Sequence, residues 1–290
     1  MSAQPSWRAD APSDYARGEI PHWPGWRGLI GWDVFLNNLT AGITVVMVLA
    51  WWLVPEARVV AAPVLTIAWL VLMADLLVLV SDLGDPWRFH HMLRTFKRVS
   101  PMSVGVWALS SYAALLTLAV VAAWLPVPLA QAAARWIATL AALPALVVLG
   151  YKGVLLSCTS QPGLRDARWL SAYLAASGLM MGAAVLILAA GVLEVPLRSA
   201  LRAAFVALIL VSALALLLLH GNVSARARER YSSGTRQAIV LVGAVGGLIL
   251  PLLLALVQPG RASLEGAALL ALFGGLVVRH ALVRLAEPVQ

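Results

Sequence analysis

Residues 81–107 read SDLGDPWRFHHMLRTFKRVSPMSVGVW and separate two long apolar runs of the chain. Gly84 and Pro86 favour the end of a helix, because glycine suits a helix C-terminus and proline cannot continue the helix. Ser100 and Pro101 suit the N-cap and the first turn of the next helix. The segment between them is basic, aromatic and amphipathic, which is typical of a helix lying at a membrane surface. The stretch therefore predicts two membrane-spanning helices joined by an interfacial segment.

The composition of the whole chain is that of a membrane protein. Of its 290 residues, 61% are hydrophobic and 12% are charged, against about 45–50% and about 25% in an average soluble domain. These values exclude a soluble globular enzyme, a disordered protein and a fibrous protein. A single cysteine, Cys158, excludes a disulfide framework and a zinc or iron–sulfur cluster held by this chain alone. The net charge of +8 belongs to loops, where it orients a membrane protein, so we expect membrane lipid and no nucleic acid among its partners.

Eight apolar runs approach or exceed the length of about 20 residues that a spanning helix needs. The predicted spans are 31–53, 60–83, 103–125, 132–158, 168–193, 198–219, 236–257 and 263–285. We therefore expect an all-α integral membrane protein with eight transmembrane helices. A polar surface tail would occupy residues 1–30, and two four-helix bundles would occupy residues 31–158 and 159–290.

The distribution of positive charge predicts the orientation of the chain. An even number of spans places both termini on one side. Arginine and lysine concentrate in the tail and in the loops after the second, fourth and sixth spans. The positive-inside rule then predicts cytoplasmic termini. A basic surface can also be a docking face for an acidic subunit, which is an alternative explanation of the same charges.

Polar side chains within the spans are the candidates for function, since ionisable groups are costly in hydrocarbon. The ionisable candidates are Asp33, Asp75, Asp82, Lys152, Arg202 and Arg279, with His220 and His280 near helix ends, and the neutral ones are Tyr112, Tyr151, Tyr173, Asn37 and Asn38. A rise of about 1.5 Å per residue places most of them in the cytoplasmic half of the membrane. This clustering predicts a pocket that opens near one membrane face.

Two carboxylates of the second span have a spacing that suits proton transfer. Asp75 and Asp82 are seven residues apart, so they share one helix face at different depths. Together they could pass a proton along the helix. The simpler interpretation is that Asp82 ends the helix and that Asp75 makes a structural hydrogen bond to a neighbouring helix.

The loop sequence resembles that of a known family. DLGDPWRF at residues 82–89, followed by SPMSVGVW at 100–107, is similar to the NrfD/PsrC family of polysulfide reductase membrane subunits. Weaker parallels are the eight spans, WDVFLNNLTAGI in span one and GYKGVLLS in span four. The resemblance implies a quinone-reactive anchor in the bacterial cytoplasmic membrane, without haem or metal of its own. Its partners would be a multi-cluster, ferredoxin-like iron–sulfur subunit and a catalytic redox subunit, often of the molybdopterin type.

The resemblance also implies roles for individual residues. Asp33 stands where members often carry a histidine that binds the quinone, and Asn37 lies one turn further on. Tyr151 matches the tyrosine of span four. Asp82 matches an acidic residue at the end of span two, and Arg88 matches the arginine of the loop motif, turned towards the pocket.

Quinone chemistry agrees with these residue types. A quinone head presents two carbonyl acceptors and an apolar ring, so its pocket needs a few hydrogen-bond donors within an apolar cleft. Its turnover moves two protons with two electrons, for which nearby carboxylates are useful. We expect menaquinone or ubiquinone to be bound by Asp33, Asn37, Tyr151 and Lys152. The residues expected to take part in turnover are Asp33, Asp75, Asp82, Arg88 and Tyr151.

Three other functions remain open on the residues alone. A haem b anchor would need facing histidines, for which His220, His280 and either His90 or His91 are available. A secondary transporter would fit two repeats of four spans, and paired helix interruptions in both halves would support it. A structural scaffold that binds no quinone is the third alternative.

Overall fold

A computed structural model describes residues 28–83, 86–158, 164, 167–196, 198–223, 238–257 and 260–284. Within these ranges the protein is helical and contains no strand. Its long helices are α1 (Leu29–Leu53), α2 (Arg58–Ser81), α3 (Pro101–Trp124), α4 (Pro128–Ser157), α5 (Leu170–Val192), α6 (Arg198–Asn222), α7 (a π-helical part, Ala238–Ile249, followed by a regular part, Leu250–Val257) and α8 (Arg261–Arg284).

The helices are long and apolar enough for a multi-pass membrane protein. Seven of the described helices meet the length and hydropathy of a membrane span, and the apolar part of α7, Leu241–Val257, is shorter. The predicted all-α membrane class is therefore confirmed, whereas the count of eight spans and the two bundles stay predictions. The first helix begins at Leu29, two residues before the predicted span, and residues 1–27 lie outside the described ranges.

The loop between α2 and α3 is only partly helical. Its backbone forms a 3-10 segment at Pro86–Leu93, whereas an interfacial α-helix was the expectation. The predicted start of α3 is confirmed, because the Ser100 side chain accepts a hydrogen bond from the Ser103 amide at 3.4 Å and Pro101 opens the helix. The Ser103 hydroxyl in turn accepts from the Lys97 amide at 2.9 Å, which ties the loop to the helix.

Two central helices, α1 and α5, hold the structure together. The helix α1 packs on α2, α4, α5 and α8, and α5 also contacts α4, α6 and α8. Glycines let α1 and α5 approach closely: a Cβ atom at Gly42 would collide with the backbone of Gly178, and one at Gly182 with the backbone of Gly42. In lipid there is no hydrophobic driving force between helices, so association depends on close van der Waals packing, which small residues at such crossings allow. The crossing buries the polar residues of α1 in the interior.

The helices α2, α4 and α8 run antiparallel to α1, whereas α5 runs parallel to it, and these directions decide which residues meet. Side-chain bonds join α1 to α2 from Asn37 to Asp75, and join α1 to α4 from Asn38 to the backbone of Leu149. The start of α1 therefore lies beside the ends of α2, α4 and α8. We call this end of the protein the Asp33 face and the other end the opposite face.

Candidate functional site

An ionic cluster lies between α1, α2 and α4 near the Asp33 face. The Lys152 Nζ atom is 2.6 Å from Asp33 Oδ1, donates a hydrogen bond of 3.0 Å to the backbone carbonyl of Asp33, and is 3.8 Å from Asp75 Oδ1. The second carboxylate oxygen of Asp75 accepts from Asn37 Nδ2 at 3.0 Å. One ammonium thus joins two carboxylates from different helices.

Burial increases steadily across this cluster. The side chain of Asp33 is 14% exposed, that of Lys152 is 4% exposed and that of Asp75 is fully buried. Asp33 and Asn37 are four residues apart on α1, so they share the helix face that meets α4 and α2. The cluster therefore leads from a partly accessible carboxylate, through a lysine, to an enclosed carboxylate.

The cluster carries hydrogen-bonding capacity that its protein neighbours do not use. It holds two carboxylates against one ammonium. Within the described part of the chain, Asn37 Oδ1 and Asp75 Oδ1 are buried and accept no hydrogen bond. Unsatisfied buried acceptors are costly and are most often explained by a functional group, a ligand or water. This arrangement suits the uptake of a proton or of a polar ligand.

Tyr151 forms the wall of the cluster on the α3 side. Its ring is buried and packs on Gly105, where a Cβ atom would collide with the ring. The Lys152 ammonium is 5.9 Å from the centre of the same ring. An open groove of about 610 Å³, the α3–α4 groove, lies between neighbouring turns of these two helices. Its lining residues are mostly apolar and include Trp107 and Val147. An apolar groove therefore lies next to the tyrosine.

A second polar cluster lies on the other side of α1. Arg279 of α8 is fully buried and donates to Asn38 Oδ1 at 3.3 Å, to the Gly275 carbonyl at 3.0 Å and to Ser177 Oγ at 3.1 Å. The Asn38 amide donates to the Leu149 carbonyl at 2.8 Å. Adjacent asparagines of α1 thus serve different clusters, since Asn37 bonds Asp75 and Asn38 accepts from Arg279.

A third network, centred on Tyr112, fastens α3 to α1. The tyrosine hydroxyl is 2.8 Å from Thr40 Oγ1, 2.7 Å from Thr44 Oγ1 and 2.9 Å from the Thr40 carbonyl, to which it donates. The Thr40 hydroxyl donates to the Ala68 carbonyl of α2 at 2.7 Å. This network orders the helices beneath the ionic cluster.

The structure gathers most of the sequence candidates and separates others. Asp33, Asn37, Asp75 and Lys152 are in direct contact, with Tyr151 adjacent. Asp82 is exposed at the end of α2, seven residues or about 10 Å along the helix from Asp75, and the Arg88 side chain lies outside the described residues.

The structure also changes the part that Asp33 can take. A carboxyl group must be protonated to donate a hydrogen bond to a quinone carbonyl, and here Asp33 faces the Lys152 ammonium at 2.6 Å. In this arrangement the lysine is the donor of the pair. Asp33 is therefore placed to hold the lysine, and the expectation that it contacts the quinone stays a prediction.

Sequence reasoning overlooked several partners of the polar network. It considered neither Thr40, Thr44 nor Ser177, and it noted Asn38, Tyr112 and Arg279 without giving them a role. The run NNLT at residues 37–40, followed by Thr44, was a usable signal. Residues 40 and 44 share one helix face, so polar groups at both positions indicate a buried contact.

A comparison with protein families matches nearly the whole chain. The family described as polysulphide reductase, NrfD, matches residues 25–287. The match includes all the residues of the ionic cluster. A search among curated proteins finds no match.

Proposed function

The chain belongs to the NrfD family of membrane subunits of polysulfide and related reductases, and we propose that it is their quinone-reactive anchor. It would exchange electrons between the membrane quinone pool and an iron–sulfur partner subunit. The observation that carries this proposal is the buried Asp33–Lys152–Asp75 cluster, which has Tyr151 and an apolar groove beside it.

The residues present fit a quinone, because donors and an apolar surface lie together. The Lys152 ammonium and the Tyr151 hydroxyl are the donors for the two carbonyl acceptors. The α3–α4 groove next to Tyr151 suits the ring or the isoprenoid tail. Asn37 holds Asp75 in place through its amide. When bound, menaquinone or ubiquinone supplies the two-electron chemistry that the side chains of this protein lack.

The carboxylates would manage the protons that accompany the electrons. Asp33 is the accessible end of the cluster and Asp75 is the enclosed end. Lys152 contacts both, so a proton can be handed between them without a large movement. Asp82 lies on the same face of α2 near the Asp33 face and would extend the route to water. Arg88 would tune the charge of that outer end.

The partner subunits would dock at the Asp33 face. Exposed basic side chains there include Arg94, Lys97 and Arg98, which lie in the loop before α3. We propose that a multi-cluster, ferredoxin-like iron–sulfur subunit binds at this face and connects the quinone site to a catalytic subunit of the molybdopterin type. We further propose that the membrane is the bacterial inner membrane and that the termini are cytoplasmic.

The first experiment is to purify the tagged protein from native membranes in mild detergent and to identify its partners by mass spectrometry. An iron–sulfur subunit and a second redox subunit are the expected partners. Recovery of the protein alone under several gentle conditions would contradict the anchor function and favour transport or scaffolding.

The second experiment tests the site within the assembled complex. Tyr151→Phe and Asp33→Asn are each expected to reduce quinone-linked turnover at least tenfold, while activity with a soluble electron carrier at the catalytic subunit is retained. Tyr173→Phe, a buried tyrosine of α5 outside the ionic cluster, is the matched control. Full quinone-linked activity in both Tyr151→Phe and Asp33→Asn would refute this site.

A further inference from the structure

A second polar cavity lies at the opposite face, away from the ionic cluster. It has a volume of about 550 Å³ and lies between the ends of α1 and α3 and the beginnings of α2 and α4. Its polar lining residues are Arg58, Gln131 and Arg135, and its aromatic ones are Trp51 and Trp136. None of the described residues that line it is acidic. The cavity therefore presents two positive charges with no carboxylate among them.

A framework of contacts holds Arg135 in position. Its guanidinium carbon lies 3.5 Å from the centre of the Trp52 ring. The Trp52 indole N–H donates to Thr139 Oγ1 at 2.9 Å, and the Thr139 hydroxyl donates to the Arg135 carbonyl at 2.8 Å. Arg135 Nε is buried and has no hydrogen-bond partner within the described ranges. The positive charge is thus fixed by stacking, with a donor left for a ligand.

Because Arg135 lies deep along α4, a bound anion would stabilise its charge. It lies seven residues after Pro128, the first residue of α4, or about 10 Å along the helix. An arginine at such depth is costly unless a counter-charge or water reaches it. Arg58 stands nearer the surface, where its Nε donates to the Pro55 carbonyl at 3.2 Å. The two arginines of different helices therefore define an anion site that extends inwards from the membrane surface.

We propose that this cavity binds the phosphate headgroup of an anionic membrane lipid, such as phosphatidylglycerol or cardiolipin. Arginine side chains suit phosphate because the guanidinium group offers several donors in one plane. Basic pockets between transmembrane helices recognise such headgroups. The remaining lining residues are alanines, which leave room for the glycerol and the first part of the acyl chains. The exposed Trp136 continues this wall towards the lipid.

A lipid suits the cavity better than free phosphate for a structural reason. The cavity is bounded by four membrane-spanning helices, and its alanines and the exposed Trp136 give it an apolar surface. An amphiphile satisfies both the arginines and this apolar surface, whereas inorganic phosphate satisfies only the arginines.

The test is native mass spectrometry of the detergent-purified protein titrated with cardiolipin, phosphatidylglycerol or phosphatidylcholine. The anionic lipids are expected to bind at concentrations at least tenfold lower than phosphatidylcholine. Arg135→Met should remove most of this difference and Arg135→Lys should restore part of it. Arg284→Met, an exposed arginine at the end of α8 on the Asp33 face, is the matched control and should bind as the unaltered protein does.

A second variant and a second ligand keep the result interpretable. Arg58→Met changes an exposed side chain, so it should weaken anionic lipid binding without altering the melting temperature of the lipid-free protein. Equal binding of anionic and zwitterionic lipids would overturn the proposal. So would equal thermal protection by inorganic phosphate at the same concentration. If Arg135→Met left lipid binding intact and instead released a co-purified protein, the cavity would be a protein contact.

Discussion

Replacing Lys152 by methionine tests whether the ionic cluster stabilises the packing of α1, α2 and α4. The substitution keeps an unbranched side chain of similar length and removes the ammonium group that contacts Asp33 at 2.6 Å and Asp75 at 3.8 Å. Removing one partner of a buried ion pair costs about 3–5 kcal/mol, because the remaining charge stays buried without compensation. We expect Lys152→Met to lower the free energy of unfolding by that amount.

The two distances also predict how the lost stability is divided between the contact with Asp33 and the contact with Asp75. At an effective dielectric constant of about 20, Coulomb attraction amounts to about 6 kcal/mol at the shorter distance and about 4 kcal/mol at the longer one. Desolvation reduces both net values, but their order should persist. Double-mutant cycles of Lys152→Met with Asp33→Asn and with Asp75→Asn should therefore give the larger coupling energy for Asp33.

The assay is unfolding in detergent by increasing mole fractions of sodium dodecyl sulfate, followed by the fluorescence of the 12 tryptophans. The control is Lys97→Met, which changes the only other lysine of the chain, an exposed loop residue. The reasoning is refuted if Lys152→Met and Lys97→Met unfold alike. It is also refuted if the coupling to Asp75 equals or exceeds the coupling to Asp33.

The same unfolding assay checks three further predictions. Tyr112→Phe removes a hydroxyl shared with two threonines of α1 and should cost about 0.6–1.7 kcal/mol, the range for such bonds between membrane helices; no change would show that the network is dispensable. Gly42→Leu should abolish folding because its Cβ collides with backbone of α5, whereas Gly266→Leu, where a Cβ meets nothing within 4 Å, should fold. If both glycine variants fold equally well, the inferred close crossing of α1 and α5 at Gly42 is refuted. Arg279→Met removes charged hydrogen bonds to α1 and α5 and should cost about 2–3 kcal/mol, more than Tyr112→Phe; a smaller loss would mean that Ser177 and its neighbours find other partners.

Much of the architecture follows from the sequence through length and composition. A run of about 20 apolar residues has few alternatives to a spanning helix, because backbone polar groups must be satisfied internally in hydrocarbon. Ser100 and Pro101 predicted the start of α3 correctly, since capping is a local interaction. The loop before it was less predictable: an amphipathic pattern indicated an interfacial helix, but Pro86–Leu93 forms only a 3-10 segment.

The candidate site was predictable in its members and its depth. Asp33, Asp75 and Lys152 stood out because ionisable residues are rare in spans, and a constant rise per residue placed them in the same half of the membrane. Their pairing was not predictable. The sequence left two possibilities for Asp75, a proton route with Asp82 along one helix or a hydrogen bond to a neighbouring helix. The second is confirmed, but only the structure names the partners, which are residues of α1 and α4.

By itself, then, the sequence determined an all-helical membrane protein whose polar residues crowd one half, and the tertiary structure alone decided which of them touch. The physical reason is that these helices are apolar on almost every side. A soluble helix shows its buried face by its polar pattern, but in lipid both the buried and the exposed faces are apolar, so rotation about the helix axis depends on packing. The crossing of α1 and α5 at Gly42 sets that rotation. It turns Asn37 towards Asp75 and Asn38 towards Arg279.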